Sequence, residues 1–304
     1  MLATGVLDRR RRDLGNQLVH AHDARRCNAV IRARVLLPIL VAISASWMPA
    51  STISAQTREP DPMEHPVYEL RQYTLHPGRR DTLIDLFERH FIESQEAVGM
   101  QVLGHFRDLD NPDRFVWFRR FDSMAARGEA LPAFYQRGAV WKSHREIANA
   151  TMLDSENVLL LREAWPGSGF AAATRLRAPV GAAPESHAVV VVTSYALVNP
   201  ADAGFVDFFR RTLAPRAQAA GAKLLATFLS EESDNNFPPL PVRLEHVLVS
   251  VAAYADEDAY ARYRAAIGSD PQWRRDVAPV LAQRLIWPAD ERRLRPAARS
   301  LVQE

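Results

Sequence analysis

A six-part order of signals, strand–helix–strand–strand–helix–strand, runs twice through this chain, and few architectures can accept it. In the first pass Val67–Leu75 alternates as a strand does, and Pro77-Gly78 breaks it. Leu83, Ile84, Phe87 and Phe91 then recur at helical spacing until Gly99. Gln101–Asp108 and Phe115–Phe121 read as strands about the turn Asp110–Asp113, and Asp122-Ser123 caps a second helical region carrying Trp141 and His144. Val158–Arg162 is a short, nearly all-apolar last strand. In the second pass, strands are predicted over Ala188–Leu197, Lys223–Ser230, Glu245–Tyr254 and Glu291–Pro296. One helix carries Phe205, Phe208, Phe209 and Leu213 and ends at Gly221; the other, over 257–285, breaks near Gly268 and Pro271. The loop Glu231–Arg243 is longer than its counterpart. The predicted fold class is therefore α+β: two ferredoxin-like β-α-β-β-α-β units, each an antiparallel sheet with helices on one face.

The units span 67–164 and 188–297, joined by a Gly-, Ala- and Pro-rich linker over 165–187 and followed by a tail, 298–304. Residues 56–66 are a polar lead-in, and 1–55 read as a signal peptide. Arg32 and Arg34 precede a thirteen-residue apolar run, Val35–Trp47, which Pro38 interrupts. A spanning helix needs ~20 apolar residues, so cleavage after Ala55 is expected, with an uncleaved anchor as the alternative. The n-region, with Arg9–Arg12 and Arg25-Arg26, is longer than export requires; either it is extended or translation starts downstream, for example at Val30. The expected location is periplasmic or secreted, with no stable membrane span once the signal is removed.

That leader alters the charge argument. The 304 residues hold 38 Lys+Arg and 36 Asp+Glu, yet eight of the arginines and only three of the aspartates lie in residues 1–55, so the mature chain is net acidic. Nucleic acid is not an expected partner. Cys27 is the one cysteine and falls within the leader, which excludes an intramolecular disulfide and a multi-thiolate zinc site. The sequence has no GxGxxG, P-loop, GxSxG or HExxH motif, and its one HxH, His20-Ala21-His22, falls within the leader, so neither a cofactor nor a metal is expected.

Three stretches resemble the NIPSNAP family: Val67–Arg79, Phe115–Met124 and, most distinctively, Phe134–Arg162. Ser269–Asp276 and Leu294–Ala297 are similar to later family segments, more weakly. The resemblance implies membership of the dimeric α/β-barrel superfamily, in which two such sheets face each other. Two units in one chain would close that barrel internally, giving a pseudo-dimeric monomer, although a homodimer is also open. Superfamily relatives include cofactor-free monooxygenases, haem peroxidases, isomerases and plain binding proteins, so the resemblance does not fix an activity.

Strand parity divides the candidate site from the core. Tyr68/Leu70, Phe106, Val116/Phe118 and, in the second unit, Val190/Val192 and Val247/Val249/Val251 are expected to face the helices. Glu69, Arg71, Tyr73, His105, Arg107, Trp117 and Arg119 share the opposite parity and are expected to face the other sheet. His105 and Arg119 are candidate catalytic residues, for proton transfer and anion stabilisation. Glu69, Arg71, Tyr73, Arg107 and Trp117 are candidate ligand-binding residues, by bidentate pairing or stacking. One expectation is a small organic molecule held between the sheets, with cofactor-independent oxidation or isomerisation if chemistry occurs. The alternatives are that Glu69, Arg71 and Arg119 merely pair with one another in a buried layer, and that the barrel is a non-catalytic scaffold for a partner. Haem is a minor third option.

Overall fold

Strand β1, Val67–Leu75, is buried at every residue but Thr74, on both of its faces. A two-sided strand of this kind needs a layer on each side, and the closed sheet provides one of them. The computed structural model describes residues 64–173, 176–183 and 186–303; the leader and its cleavage point lie outside them.

The first unit continues with helices α1 (Arg80–Leu86) and α2 (Ile92–Glu96), strands β2 (Gln101–Asp108) and β3 (Arg114–Phe121), helices α3 (Met124–Pro132) and α4 (Ala139–Asn149), and strands β4 (Met152–Asp154) and β5 (Val158–Glu163). The second has β6 (Val189–Ala196), α5 (Ala203–Phe208), α6 (Ala214–Ala219), β7 (Lys223–Ser230), β8 (Val247–Tyr254), α7 (Glu257–Ser269), α8 (Ala278–Arg284) and β9 (Asp290–Pro296). Each helical pair is joined by a one-turn π segment: Phe87–Phe91, Ala133–Arg137, Phe209–Leu213 and Trp273–Val277. Ser123, Asp202 and Asp256 cap α3, α5 and α7 through their side chains. Gly99 and Gly221 end the first helical stretch of each unit with φ of 89° and 108°, left-handed values that a residue with a Cβ resists.

The strands close into a barrel in the order β1-β3-β2-β9-β6-β8-β7-β5 and back to β1, all antiparallel, with β4 appended to the end of β1. Each sheet has the expected ferredoxin-like order. The junctions are β2–β9 and β5–β7, so two units of one chain form the whole eight-stranded wall. A register slip at Val102/Gly104 in β2 recurs at Leu224/Ala226 in β7, which marks the halves as structural repeats.

The barrel interior is a packed apolar core. Tyr68, Leu70, Phe106, Val116, Phe118, Leu159 and Leu161 meet Val190, Val192, Phe228, Val247, Val249, Val251 and Leu294 there. This reverses the expected facing: the apolar parity fills the space between the sheets, and the charged parity lies beneath the helices. The reason is physical. Side chains just fill an eight-stranded barrel, leaving no room for the partners a buried charge requires, whereas the helical layer supplies such partners.

The linker and tail are both anchored. Phe170 packs its ring against Phe118 and Phe228, at centroid distances of 5.2 and 5.5 Å. Arg177 donates to Glu96 Oε1 at 2.6 Å and to the carbonyls of Val102 and Arg299. Leu301 and Val302 donate backbone N–H groups to the Leu103 carbonyl. Among the described residues no helix is long and apolar enough to cross a membrane.

Candidate functional site

Adjacent antiparallel strands set the site's geometry. The β1–β3 register places Glu69 opposite Arg119, Arg71 opposite Trp117, and Tyr73 opposite Phe115, all on the helix-facing side. Glu69 is fully buried and meets three guanidinium groups. Its Oε2 accepts from Arg71 Nη1 at 2.7 Å and from Arg119 Nε at 2.9 Å; its Oε1 accepts from Arg127 Nε, on α3, at 2.8 Å. Glu69, Arg119 and Arg127 are 0% exposed and Arg71 1%, so solvent neutralises none of them. Burial by itself would raise the Glu69 pKa, but Arg119, Arg71 and Arg127 outweigh it and hold the carboxyl well below the usual carboxylate range.

The helices supply the remaining partners. Arg119 Nη1 donates to Gln95 Oε1 at 3.1 Å and to the Tyr135 hydroxyl at 3.2 Å. Arg71 Nε donates to the Tyr73 hydroxyl at 2.8 Å. Both guanidinium groups also lie over Trp117, at 5.6 and 5.2 Å from the ring centroid. Arg127 Nη1 donates to Asn235 Oδ1 at 3.1 Å and Asn236 Oδ1 at 2.6 Å, both on the long loop between β7 and β8. The second unit's extended loop thus closes over the first unit's charge cluster.

A cavity of about 100 Å³ opens beside this cluster, between the first sheet and its helices. Arg71, Tyr73, Phe115 and Trp117 form its sheet side; Phe87, Phe91, Phe134, Tyr135 and Trp141 line the helical side, and Leu240 of the long loop adds a wall. The rings interlock, with Phe87–Trp117 centroids 4.9 Å apart and Tyr135–Trp141 5.0 Å apart. The Trp117 indole Nε1–H is buried without a hydrogen-bond partner among the described residues.

Of the sequence-derived candidates, Arg71, Tyr73 and Trp117 therefore line the cavity, while Glu69 and Arg119 stand behind Arg71 in the charge cluster. Two candidates lie elsewhere. His105 is fully buried on the far side of the Phe87 ring, its Nε2 2.8 Å from Glu88 Oε1. Burial lowers its pKa against the opposing pull of Glu88, and it does not line the cavity. Glu88 Oε1 also accepts the Arg299 backbone N–H at 3.1 Å, so this pair fastens the tail. Arg107 reaches outward to Asp81 at 2.7 Å, a partly exposed surface pair. Sequence reasoning missed Arg127, Gln95, Tyr135 and the Asn235-Asn236 pair. Tyr135 lies within the most distinctive family-like stretch, a signal that could have found it.

The second unit has the matching position without the charges. Val191, Thr193 and Tyr195 on β6 face Ala252, Ser250 and Leu248 on β8. A cavity of about 30 Å³ remains there, little more than room for one water. Its tyrosine is retained, and burial pushes the Tyr195 phenol above its ordinary value.

Comparison with known proteins agrees with the barrel fold. Residues 68–165 carry a NIPSNAP domain. No curated protein matches the chain in sequence. Among solved structures, an anthrone oxidase-like protein superposes with a TM-score of 0.52 at 13% identity, covering 77% of this chain and 92% of its own. That likeness establishes the dimeric α/β-barrel fold. A NIPSNAP family protein of unknown function from Agrobacterium tumefaciens is 23% identical, covers 33% of this chain and 89% of its own, and has a TM-score of 0.30. A NIPSNAP-like domain protein from Burkholderia xenovorans is 22% identical over 38% of this chain and 89% of its own, with a TM-score of 0.31.

Proposed function

We propose that this NIPSNAP-domain barrel binds a small organic molecule in the cavity of its first unit, under the helices rather than between the sheets. The observation that carries this reading is the cavity itself, an aromatic-walled space with a buried guanidinium at one side and an indole N–H lacking an acceptor among the described residues. Apolar walls with a few convergent polar groups are the usual form of such a site. If the bound molecule reacts, the residues suit cofactor-independent isomerisation, or oxidation with dioxygen as the co-substrate, of a molecule that arrives already ionised as an enolate or phenolate. Arg71 would stabilise its negative charge and the Tyr73 phenol would hold the orientation of Arg71. His105, separated from the cavity by Phe87, is not assigned the proton transfer.

The test is native mass spectrometry of protein purified from its own host, followed by thermal-shift measurements across a panel of small metabolites. A stoichiometric adduct lost in Trp141→Ala is the expected result. Absence of any adduct, with no ligand-dependent shift, would refute the reading and leave a scaffold role in its place.

Export belongs to the same proposal. The Arg-flanked apolar run before Trp47 and the cysteine-free remainder suit an oxidising compartment outside the cytoplasm. N-terminal sequencing of the protein from fractionated cells tests it: Gln56 as first residue in the periplasm or medium is expected, and a cytoplasmic chain retaining residues 1–55 would refute it.

A further inference from the structure

The charges around Glu69 do not balance. One carboxylate faces Arg71, Arg119 and Arg127, and a guanidinium remains protonated at any accessible pH. The cluster therefore carries a net positive charge of two on side chains that are at most 1% exposed. Glu88, the other buried carboxylate of this unit among the described residues of its helices, is taken up by His105 and the Arg299 backbone. An uncompensated charge in such surroundings is costly and is normally paired.

The groups that face the cavity repeat the imbalance. Arg71 spends Nε on Tyr73 and Nη1 on Glu69, leaving Nη2 without a hydrogen-bond partner among the described residues. The Tyr73 hydroxyl accepts from Arg71, and the Tyr135 hydroxyl accepts from Arg119, so each keeps its own proton to donate. Trp117 adds an unused indole N–H. Every one of these residues lines the cavity, and what they offer there is donors.

We infer that the ligand is a planar organic anion, a single-ring carboxylate, phenolate or enolate, with its charged oxygen on Arg71 and its ring among Phe87, Phe91 and Trp141. This rests on the proposed function and deepens it. Pairing to the free Nη2 of Arg71 would add one negative charge to the cluster. The cavity's size, about 100 Å³, limits the body to at most one ring, because apolar cavities of ~150 Å³ admit benzene. The second unit has Thr193 and Ser250 in place of Arg71 and Trp117, so it offers no such anchor, and one ligand per chain follows.

Matched acids and amides test the charge apart from the pocket. Benzoate, salicylate and cinnamate are titrated calorimetrically into the full chain beside benzamide, salicylamide and cinnamamide. The acids are expected to bind at least ten-fold more tightly than their amides, at one site per chain, and Arg71→Met to remove that preference. Arg107→Met, at the surface, should leave it intact. Amides that bind as well as the acids would overturn the anion inference and leave the pocket standing. Failure of both series would overturn the inference and count against the pocket itself. Should Arg71→Met not fold, the acid–amide comparison in the unmodified chain decides alone.

Discussion

Replacing Glu69 with Gln removes the single negative charge from a layer holding three buried guanidinium groups, while keeping the side chain's size. The amide oxygen can still accept from one or two of Arg71, Arg119 and Arg127, but its NH₂ must then face a donor at the distance now held by a charge-assisted bond of 2.7–2.8 Å. Removing one partner of a buried ion pair costs ~3–5 kcal/mol, because the surviving charge is left uncompensated. Here three charges survive, so the upper end applies. For a cooperative body of this size each kcal/mol moves Tm by ~2–4 °C, which places the expected drop at about 10–20 °C. Calorimetry at neutral pH measures it, and a pH series adds an independent signature. Because Glu69's folded pKa is depressed, its stabilisation is present above the ordinary carboxylate value and is lost as pH falls through the folded value. The unmodified chain should thus lose this contribution only in strong acid, and Glu69→Gln should lack that component. A Tm drop under about 2 °C, or identical acid profiles for the two proteins, would refute the view that Glu69 is the counter-ion of this layer.

Other substitutions separate the layers of the fold. Phe228→Ala, in the filled barrel interior, should cost ~3–5 kcal/mol by chemical denaturation and leave ligand affinity unchanged; altered affinity would mean the interior belongs to the site. Asn235→Ala with Asn236→Ala removes both acceptors from Arg127 Nη1. It should cost ~1.5–3 kcal/mol and speed proteolytic cutting within 231–243; an unchanged cutting rate would show that these bonds do not hold the loop. His105 has its folded pKa lowered by burial, so its contribution is complete above its unfolded value and declines as pH falls through the folded one. His105→Gln should flatten the stability profile below about pH 6.5 without changing ligand binding, and a lost binding signal would return His105 to the site.

Much of this fold could be read from the chain because its punctuation is local. Gly99, Gly221, Asp122-Ser123 and the alternation of Val67–Leu75 act within a few residues, and each has its predicted effect. The grouping of Glu69, Arg71, Tyr73, Trp117 and Arg119 on one face was equally legible, since a two-residue period is a property of the strand itself. Which face that was could not be read. Both faces of these strands are buried, so parity separates two sets without saying which lies inside the barrel. The partners were hidden for another reason: Arg127 is an ordinary-looking arginine in an Ala-rich helix, and Asn235-Asn236 reach it across more than a hundred residues of sequence. His105 shares the parity of the cavity residues but does not line the cavity, because shared parity does not imply a shared neighbourhood along the strand.

The long loop that seats Asn235, Asn236 and Leu240 on the first unit has a consequence for symmetry. A barrel made from two identical chains must repeat every feature about its axis, so a loop that covers one site must cover both, and any charge cluster must appear twice. Joining the halves covalently removes that obligation. One half is free to keep the buried charges and the cavity, while the other fills its equivalent space and lends a loop as a wall. The duplication therefore works as a division of labour, with a host half and a cover half, an arrangement no exact twofold could produce.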